Sequence, residues 1–186
     1  WAPRLAINWK PASQHTLKLG YSSAFRTPSL FEQRADWRIV SGGKTLDIRY
    51  LSSGGLLPER VDAWDLVYLG QWHGQGLTLD ARLFQEKLSR IVTGRLTLLP
   101  MGATFAPNAA AYDLRNNASA VNRGMEYQLS WRPARGTIIS WNQYFARPQA
   151  SPAVIAQTIA RRSTGLLVSH AWPRGWTTGL GYTSMS

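Results

Sequence analysis

Gly124-Met125-Glu126-Tyr127-Gln128-Leu129-Ser130-Trp131 places an apolar side chain at every second position. In an extended chain Met125, Tyr127, Leu129 and Trp131 share one face, and Gly124, Glu126, Gln128 and Ser130 the other. Alternation of this kind marks a strand with one apolar and one polar side, whereas a helix would repeat its apolar residues every three or four positions.

The same period runs outward in both directions. Leu5, Ile7 and Trp9 alternate with Arg4, Ala6 and Asn8 between Pro3 and Lys10, and Leu17, Leu19 and Tyr21 with Lys18, Gly20 and Ser22 between His15 and Phe25. From Arg60 to Trp72, Trp64, Leu66, Tyr68 and Trp72 face away from Asp65 and Gln71, with Val67 and Leu69 breaking the polar side. Leu77, Leu79, Ala81 and Leu83 alternate with Thr78, Asp80, Arg82 and, further on, Glu86. Three more stretches, Thr137 to Ala146, Arg162 to Trp172 and Trp176 to Thr183, bring the expectation to about eight strands.

Connection lengths alternate too. Short turns fall at 11–14, 73–76, 133–135 and 173–175; long loops run from Thr27 to Glu59, Thr93 to Ala120 and Pro148 to Ala160. Short turns on one rim and long loops on the other is the arrangement of a transmembrane β-barrel, and a soluble sandwich has no reason to sort its loops this way. The rival of another class is a soluble carbohydrate-binding β-sandwich.

Charge and aromatic placement favour the membrane. The mid-strand charges Lys18, Asp80, Arg82 and Glu126 lie on the polar face, as a lipid-facing wall requires. Trp9, Trp72, Trp131, Trp172 and Trp176 lie on the apolar parity beside short turns, where an indole suits a membrane interface. Trp64 and Trp72 are separated along their strand by roughly 20 Å of membrane depth, allowing for tilt, close to the apolar band of such barrels. Arg123 stands the same distance from Trp131 and is expected among outer-leaflet lipid phosphates. The chain carries a formal charge of +11, and all its cations except Lys10, Lys18, Lys44 and Lys87 are arginines scattered along it. Scattered arginine suits lipid or lipopolysaccharide phosphate, or an anionic ligand, and not the single basic stripe of a nucleic-acid binder. Without Cys, neither disulfides nor thiolate metal sites are available. No apolar run is long enough for a transmembrane helix, which leaves strands free to span.

Three segments resemble the TonB-dependent outer-membrane receptors of Gram-negative cells. Phe25-Arg26-Thr27-Pro28-Ser29-Leu30-Phe31-Glu32 is similar to their aromatic-Arg-x-Pro-x-x-x-Glu motif. Leu56-Leu57-Pro58-Glu59 resembles the Leu-x-Pro-Glu that re-enters the barrel, although Asp65 stands where the family usually has Glu and Val67 where it has Gly. Asn122-Arg123-Gly124-Met125-Glu126 resembles a later strand with Gly124 and Glu126 two apart. The resemblance implies an all-β, antiparallel, plugged barrel of about 22 strands. Residues 1–186 are accordingly expected to be a partial barrel domain, with the plug, the TonB-contacting segment and the closing strands lying outside the chain.

Enzymatic chemistry is not expected. His15, His73 and His170 lie near short turns, and no Ser/His/Asp set, metal-ligand spacing or phosphate loop stands out. No cofactor or resident metal is expected, and Glu126 is read as a structural partner of Arg82 or Arg132. The long loops are the expected ligand surface: Arg34, Trp37, Arg38, Arg49, Tyr50, Arg95 and Phe105 could hold an anionic, partly aromatic chelate by charge and stacking. Together with the resemblance, this points to a ferric siderophore imported through TonB acting on the plug. Cobalamin, haem and glycan are the alternatives within the fold. Against haem, Thr27 replaces the Ala of the haem importers' Phe-Arg-Ala-Pro, and no His lies between Thr27 and Glu59.

Overall fold

The computed structural model describes residues 1–101, 103–104 and 109–186. Ten strands form one sheet: β1 (Arg4–Ala12), β2 (His15–Arg26), β3 (Asp36–Ser41), β4 (Lys44–Leu51), β5 (Glu59–Trp72), β6 (Leu77–Leu98), β7 (Ala110–Trp131), β8 (Thr137–Ser151), β9 (Arg162–Ala171) and β10 (Thr177–Met185). A short α-helix, α1 (Leu30–Arg34), precedes β3. Eight strands run in the order β1-β2-β5-β6-β7-β8-β9-β10, while β3 and β4 form a hairpin off that path. Among the described residues this is one sheet, which replaces the sandwich alternative, and its eight-strand path matches the eight expected strands.

The chain divides into two compact units. The wall unit holds residues 1–23, 62–87 and 120–186, including all four short turns. Its register keeps the expected faces: Leu5 lies opposite Tyr21, Ile7 opposite Leu19 and Trp9 opposite Leu17. Leu166 is flanked by Trp141 and Tyr182, and Val168 by Ile139 and Leu180, so one apolar face continues across β8, β9 and β10. Among the described residues that face is left open. Leu5 is 67% exposed and Leu180 76%, and the buried apolar residues are alanines apart from Ile48 and Phe84 among the described residues. A sheet that leaves its large apolar side chains open has lipid as its solvent.

On the other face polar and small residues gather around a few larger ones, among them Val67 and Phe84. Arg82 sits at the centre: Nε donates to Asp65 Oδ1 at 2.6 Å, Nη1 to Glu126 Oε1 at 3.0 Å and Nη2 to Glu86 Oε1 at 3.4 Å. Its guanidinium also lies over the Phe84 ring, 4.9 Å from the centroid. Phe84 stacks on Tyr144 with centroids 5.9 Å apart, and Gly124 lies against this pair. A Cβ at Gly124 would meet Phe145 O at 2.2 Å and Phe84 Cζ at 2.7 Å, so only glycine fits the position. Glu126 pairs with Arg82, one of its two expected partners.

The loop unit holds residues 24–61 and 88–119. Two expectations are corrected here. The segment Thr93 to Ala120 is largely strand, because β6 continues to Leu98 and β7 begins at Ala110. Each of these strands has 22 residues, roughly 70 Å of extended chain, far beyond the 9–11 residues needed to span a bilayer. Beyond the membrane neither face has to be apolar, so periodicity gives no signal there. Secondly, the stretch Thr27 to Glu59 contains α1 and the β3–β4 hairpin, turned by Gly42 and Gly43 at φ 58° and 72°.

Candidate functional site

The site begins at the end of β2. Arg26 Nη1 and Nη2 grip both carboxylate oxygens of Glu32 at 3.0 and 2.9 Å, and Nε donates to Glu59 Oε2 at 2.7 Å. Glu59 Oε1 accepts from the Val92 backbone N–H at 2.7 Å. One guanidinium thus ties together the exit of the first long loop, its helix and its re-entry into the sheet. Ser29 and Glu32 complete the helix start as a capping box: Ser29 N donates to Glu32 Oε2 at 2.6 Å, and Glu32 N to Ser29 Oγ at 3.2 Å. Pro28 and Pro58 stand where the chain leaves and rejoins the sheet, where a missing N–H costs no ladder bond. The Arg26 bond, reinforced by Ser29, lowers the Glu32 carboxyl to about 2, and the Arg26 bond also holds the Glu59 carboxyl below its ordinary range.

Glu32 neighbours Phe31, and this link carries the knot into an aromatic cluster. Phe31 meets Tyr50 edge-on at 5.5 Å, Trp37 stacks on Tyr50 at 6.0 Å, and Tyr112 leans on Tyr50 at 5.8 Å. The register explains the meeting: Trp37 pairs with Tyr50 across the β3–β4 hairpin, and Tyr50 bridges Tyr112 of β7 in parallel.

Hydrogen bonds fix the platform from below. Ser52 N donates to Ala35 O at 2.7 Å, and Ser52 Oγ to Glu32 O at 2.7 Å. Asp113 accepts from Ser53 N at 3.0 Å, from Ser53 Oγ and from Arg115 Nε at 2.5 Å. Burial alone would raise the Asp113 carboxyl, but the Ser53 and Arg115 bonds outweigh it and hold it below its ordinary range. Asn116 accepts from Leu57 N at 2.7 Å and donates to Leu57 O and Arg90 O. The last bond supports a strand position where Arg90 adopts φ 58°, unusual for a non-glycine residue.

Of the expected ligand residues, Trp37 and Tyr50 come together in this cluster. Arg38 and Arg49 are already engaged, Arg38 with Asp36 at 2.5 Å and Arg49 with Asp47 at 2.8 Å. Arg34 ends α1 and Arg95 lies on β6 rather than in a loop; both are exposed and neither makes an ion pair among the described residues. Phe105 lies outside the described residues. Sequence reasoning missed Phe31 and Tyr112 as members of the cluster. Extending β7 down to Ala110 would have brought Tyr112 beside Tyr50, but no apolar period marks that extension.

A wall of strands with a lipid-facing apolar side, a polar inner side and short turns between its strands is the pattern of an outer-membrane β-barrel. The chain belongs to the TonB-dependent receptor family: residues 1–185 match the family described as TonB dependent receptor-like, beta-barrel. Its place is the Gram-negative outer membrane. Among solved structures it is similar to the ferric enterobactin receptor of Pseudomonas aeruginosa in complex with enterobactin, at 18% identity and TM-score 0.77, covering 98% of this chain and 27% of that one. It is also similar to the siderophore receptor PirA of Acinetobacter baumannii, at 16% identity and TM-score 0.73, covering 98% and 28%. The copper transporter OprC matches at 14% identity and TM-score 0.68, covering 98% and 25%. At these identities the likeness is one of fold. The chain spans about a quarter of the length of these three receptors. No curated protein sequence matches it.

Proposed function

We propose that this chain is a partial barrel domain, residues 1–186, of a longer plugged receptor that binds a ferric siderophore at its extracellular loops for TonB-energised import. The observation that carries the reading is the Phe31–Trp37–Tyr50–Tyr112 cluster, held on a hydrogen-bonded platform in the loop unit. Trp37 is 55% exposed and Tyr112 46%, so ring faces remain open to stack on a ligand. Arg34 and Arg95 add unpaired positive charge to the same unit, which suits an anionic ferric chelate. Two of the similar structures are siderophore receptors by their descriptions, which fits this choice over cobalamin, haem or a glycan. TonB would act through the plug, outside this chain.

Binding by the purified intact receptor tests the reading. Replacing Trp37 and Tyr50 together by Ala should weaken a ferric siderophore by about tenfold, since each stacked ring contributes roughly 0.5–1.5 kcal/mol beyond its burial. Tight binding of cobalamin or haem, with no response to a broad ferric-siderophore panel, would overturn the ligand while leaving the fold intact.

A further inference from the structure

The four short turns of the wall unit repeat a pairing that neither the apolar face nor the loop cluster accounts for. Each opens on a tryptophan with a basic residue one or two positions on: Trp9-Lys10, Trp72-His73, Trp131-Arg132 and Trp172-Pro173-Arg174. Arg135 adds a further cation to the third turn. No Asp or Glu lies in any of them, from Trp9 to His15, Gln71 to Leu77, Trp131 to Thr137 or Ala171 to Thr177. The acids of the wall unit, Asp62, Asp65, Asp80, Glu86 and Glu126, all lie within β5, β6 and β7. Lys10, Arg132, Arg135 and Arg174 are exposed, and none makes an ion pair or a side-chain hydrogen bond among the described residues. This sets them apart from Arg26, Arg38, Arg49, Arg82 and Arg115, which are all paired.

The backbone holds these cations in place. Each turn is bonded to the next: Gln71 N donates to Gln14 O at 2.9 Å, Arg132 N to Gly76 O at 2.8 Å and Ala171 N to Gly136 O at 2.8 Å. The junctions are tight, since a Cβ on Gly76 would meet Arg132 O at 2.6 Å and one on Gly136 would meet Ala171 O at 2.7 Å. Arg174 sits in the middle of its turn at φ 67°, a left-handed conformation that glycine or asparagine ordinarily fills.

Position and spacing choose the partner. In an outer-membrane barrel the short turns face the periplasm. Lys10 and Arg132 take the parity opposite to Trp9 and Trp131, so they turn away from the lipid that the indoles meet. Consecutive turns are two strands apart in the sheet order, roughly 10 Å at the usual strand spacing. The cations therefore form a row along the rim and do not converge on one point. A row suits anions repeated along a polymer better than one small anion. The residues between the tryptophans and the next strands, 11–14, 73–76, 133–135 and 173–175, hold no large apolar side chain, so the row lacks the apolar core of a protein–protein interface.

We propose that Lys10, Arg132, Arg135 and Arg174 form a cationic row that docks the receptor on peptidoglycan, the carboxylate-bearing polymer of the cell wall. The guanidiniums and the ammonium take its stem-peptide carboxylates by charge-assisted hydrogen bonds. The test uses the intact receptor in mild detergent and sacculi freed of attached protein, with bound receptor measured after sedimentation. Wild-type receptor should pellet with sacculi at low ionic strength and be released at high ionic strength. Sacculi whose carboxylates have been amidated should hold it about tenfold less well. The variant Lys10→Gln/Arg132→Gln/Arg135→Gln/Arg174→Gln should show the same loss while staying heat-modifiable. The variant Arg123→Gln/Arg147→Gln/Arg161→Gln/Arg162→Gln, which removes equal charge elsewhere on the wall unit, should pellet like the wild type. Unchanged pelleting on amidated sacculi, or none on native sacculi, overturns the proposal without any variant having to fold. So does a folded turn variant that pellets like the wild type, or an equal loss in both variants. Stronger competition by phosphatidylglycerol vesicles than by soluble peptidoglycan fragments, at equal anion concentration, would assign the row to lipid and overturn it as well.

Discussion

The wall unit and the loop unit share β2, β5, β6 and β7 but are held by different forces. In the wall unit, parity does most of the work: large apolar residues point to lipid, small and polar ones inward, and a few charged groups gather around Arg82. In the loop unit, side chains tie backbone to backbone, with Arg26, Asp113 and Asn116 each bridging separate segments. The difference follows from solvent. Lipid cannot satisfy a polar group, so it imposes a period on the sequence; water can, so the loop unit needs specific partners to choose one conformation.

The largest effect should come from breaking parity in the wall. Leu129→Arg or Leu79→Arg would place a cation on the lipid face at a cost of about 2–4 kcal/mol near the midplane, and should block assembly of the full-length barrel. Gln128→Arg and Thr78→Arg, one position away, should fold. Indistinguishable heat-modifiability of the two pairs would refute the assigned faces. Next in size is Gly124→Val, whose new side chain would press into the β8 backbone and the Phe84 ring. Overpacking of this kind costs about 1–3 kcal/mol, visible as a lower midpoint in denaturant; a midpoint equal to wild type would show that the close approach is relieved by a small shift.

The comparison also separates what could be read from the sequence from what could not. The alternation at Met125–Trp131 and the tryptophans beside the turns were legible because lipid punishes each exception. The two tyrosines show the limit. Tyr50 could be chosen as a loop aromatic, while Tyr112 could not, because Ala110–Ser119 has polar residues on both parities and reads as loop. The aromatic cluster depends on a hairpin folding back so that Tyr50 bridges Tyr112, a contact more than sixty residues apart in sequence. Pairing of Arg38 and Arg49 with Asp36 and Asp47 was also hidden, since neighbouring opposite charges two positions apart meet only once the strand exists.

Acid should loosen the loop unit before the wall. Glu32 falls from an ordinary 4.5 to about 2 in the fold, so its bond to Arg26 contributes fully above about pH 4.5 and is lost as pH falls towards 2. Amide exchange of residues 27–58 in the intact receptor should rise over that window, while the β8–β9 ladder stays protected. Glu32→Gln should show fast exchange already at pH 6; a variant with the wild-type acid profile would mean that the knot does not hold the loop. Epitope tags give a milder perturbation. Inserted at Gly42-Gly43 or Ser151 they should be visible to antibody on intact cells, and at Gly74 or Ala134 only after the outer membrane is opened. Surface labelling at Gly74 would invert the assigned topology.

The smallest effect concerns two pairs of loop arginines, and it distinguishes long-range charge from direct contact. Removing Arg38 and Arg49 or removing Arg34 and Arg95 changes the formal charge equally, so encounter with an anionic ferric siderophore should slow by a similar factor at low salt. Direct contact should differ. Arg38 and Arg49 already spend donors on Asp36 and Asp47 and must give up those bonds before gripping a ligand. Arg34 and Arg95 have no such bonds to break. The Arg34→Ala/Arg95→Ala receptor should therefore release ligand a few-fold faster, on the scale of one or two exposed charge contacts of up to about 1 kcal/mol. The Arg38→Ala/Arg49→Ala receptor should keep its off-rate and lose only on-rate, and that loss should vanish in high salt. Stopped-flow binding at two ionic strengths resolves the rates, and an off-rate raised equally in both variants would show that the carboxylate pairs open to admit ligand.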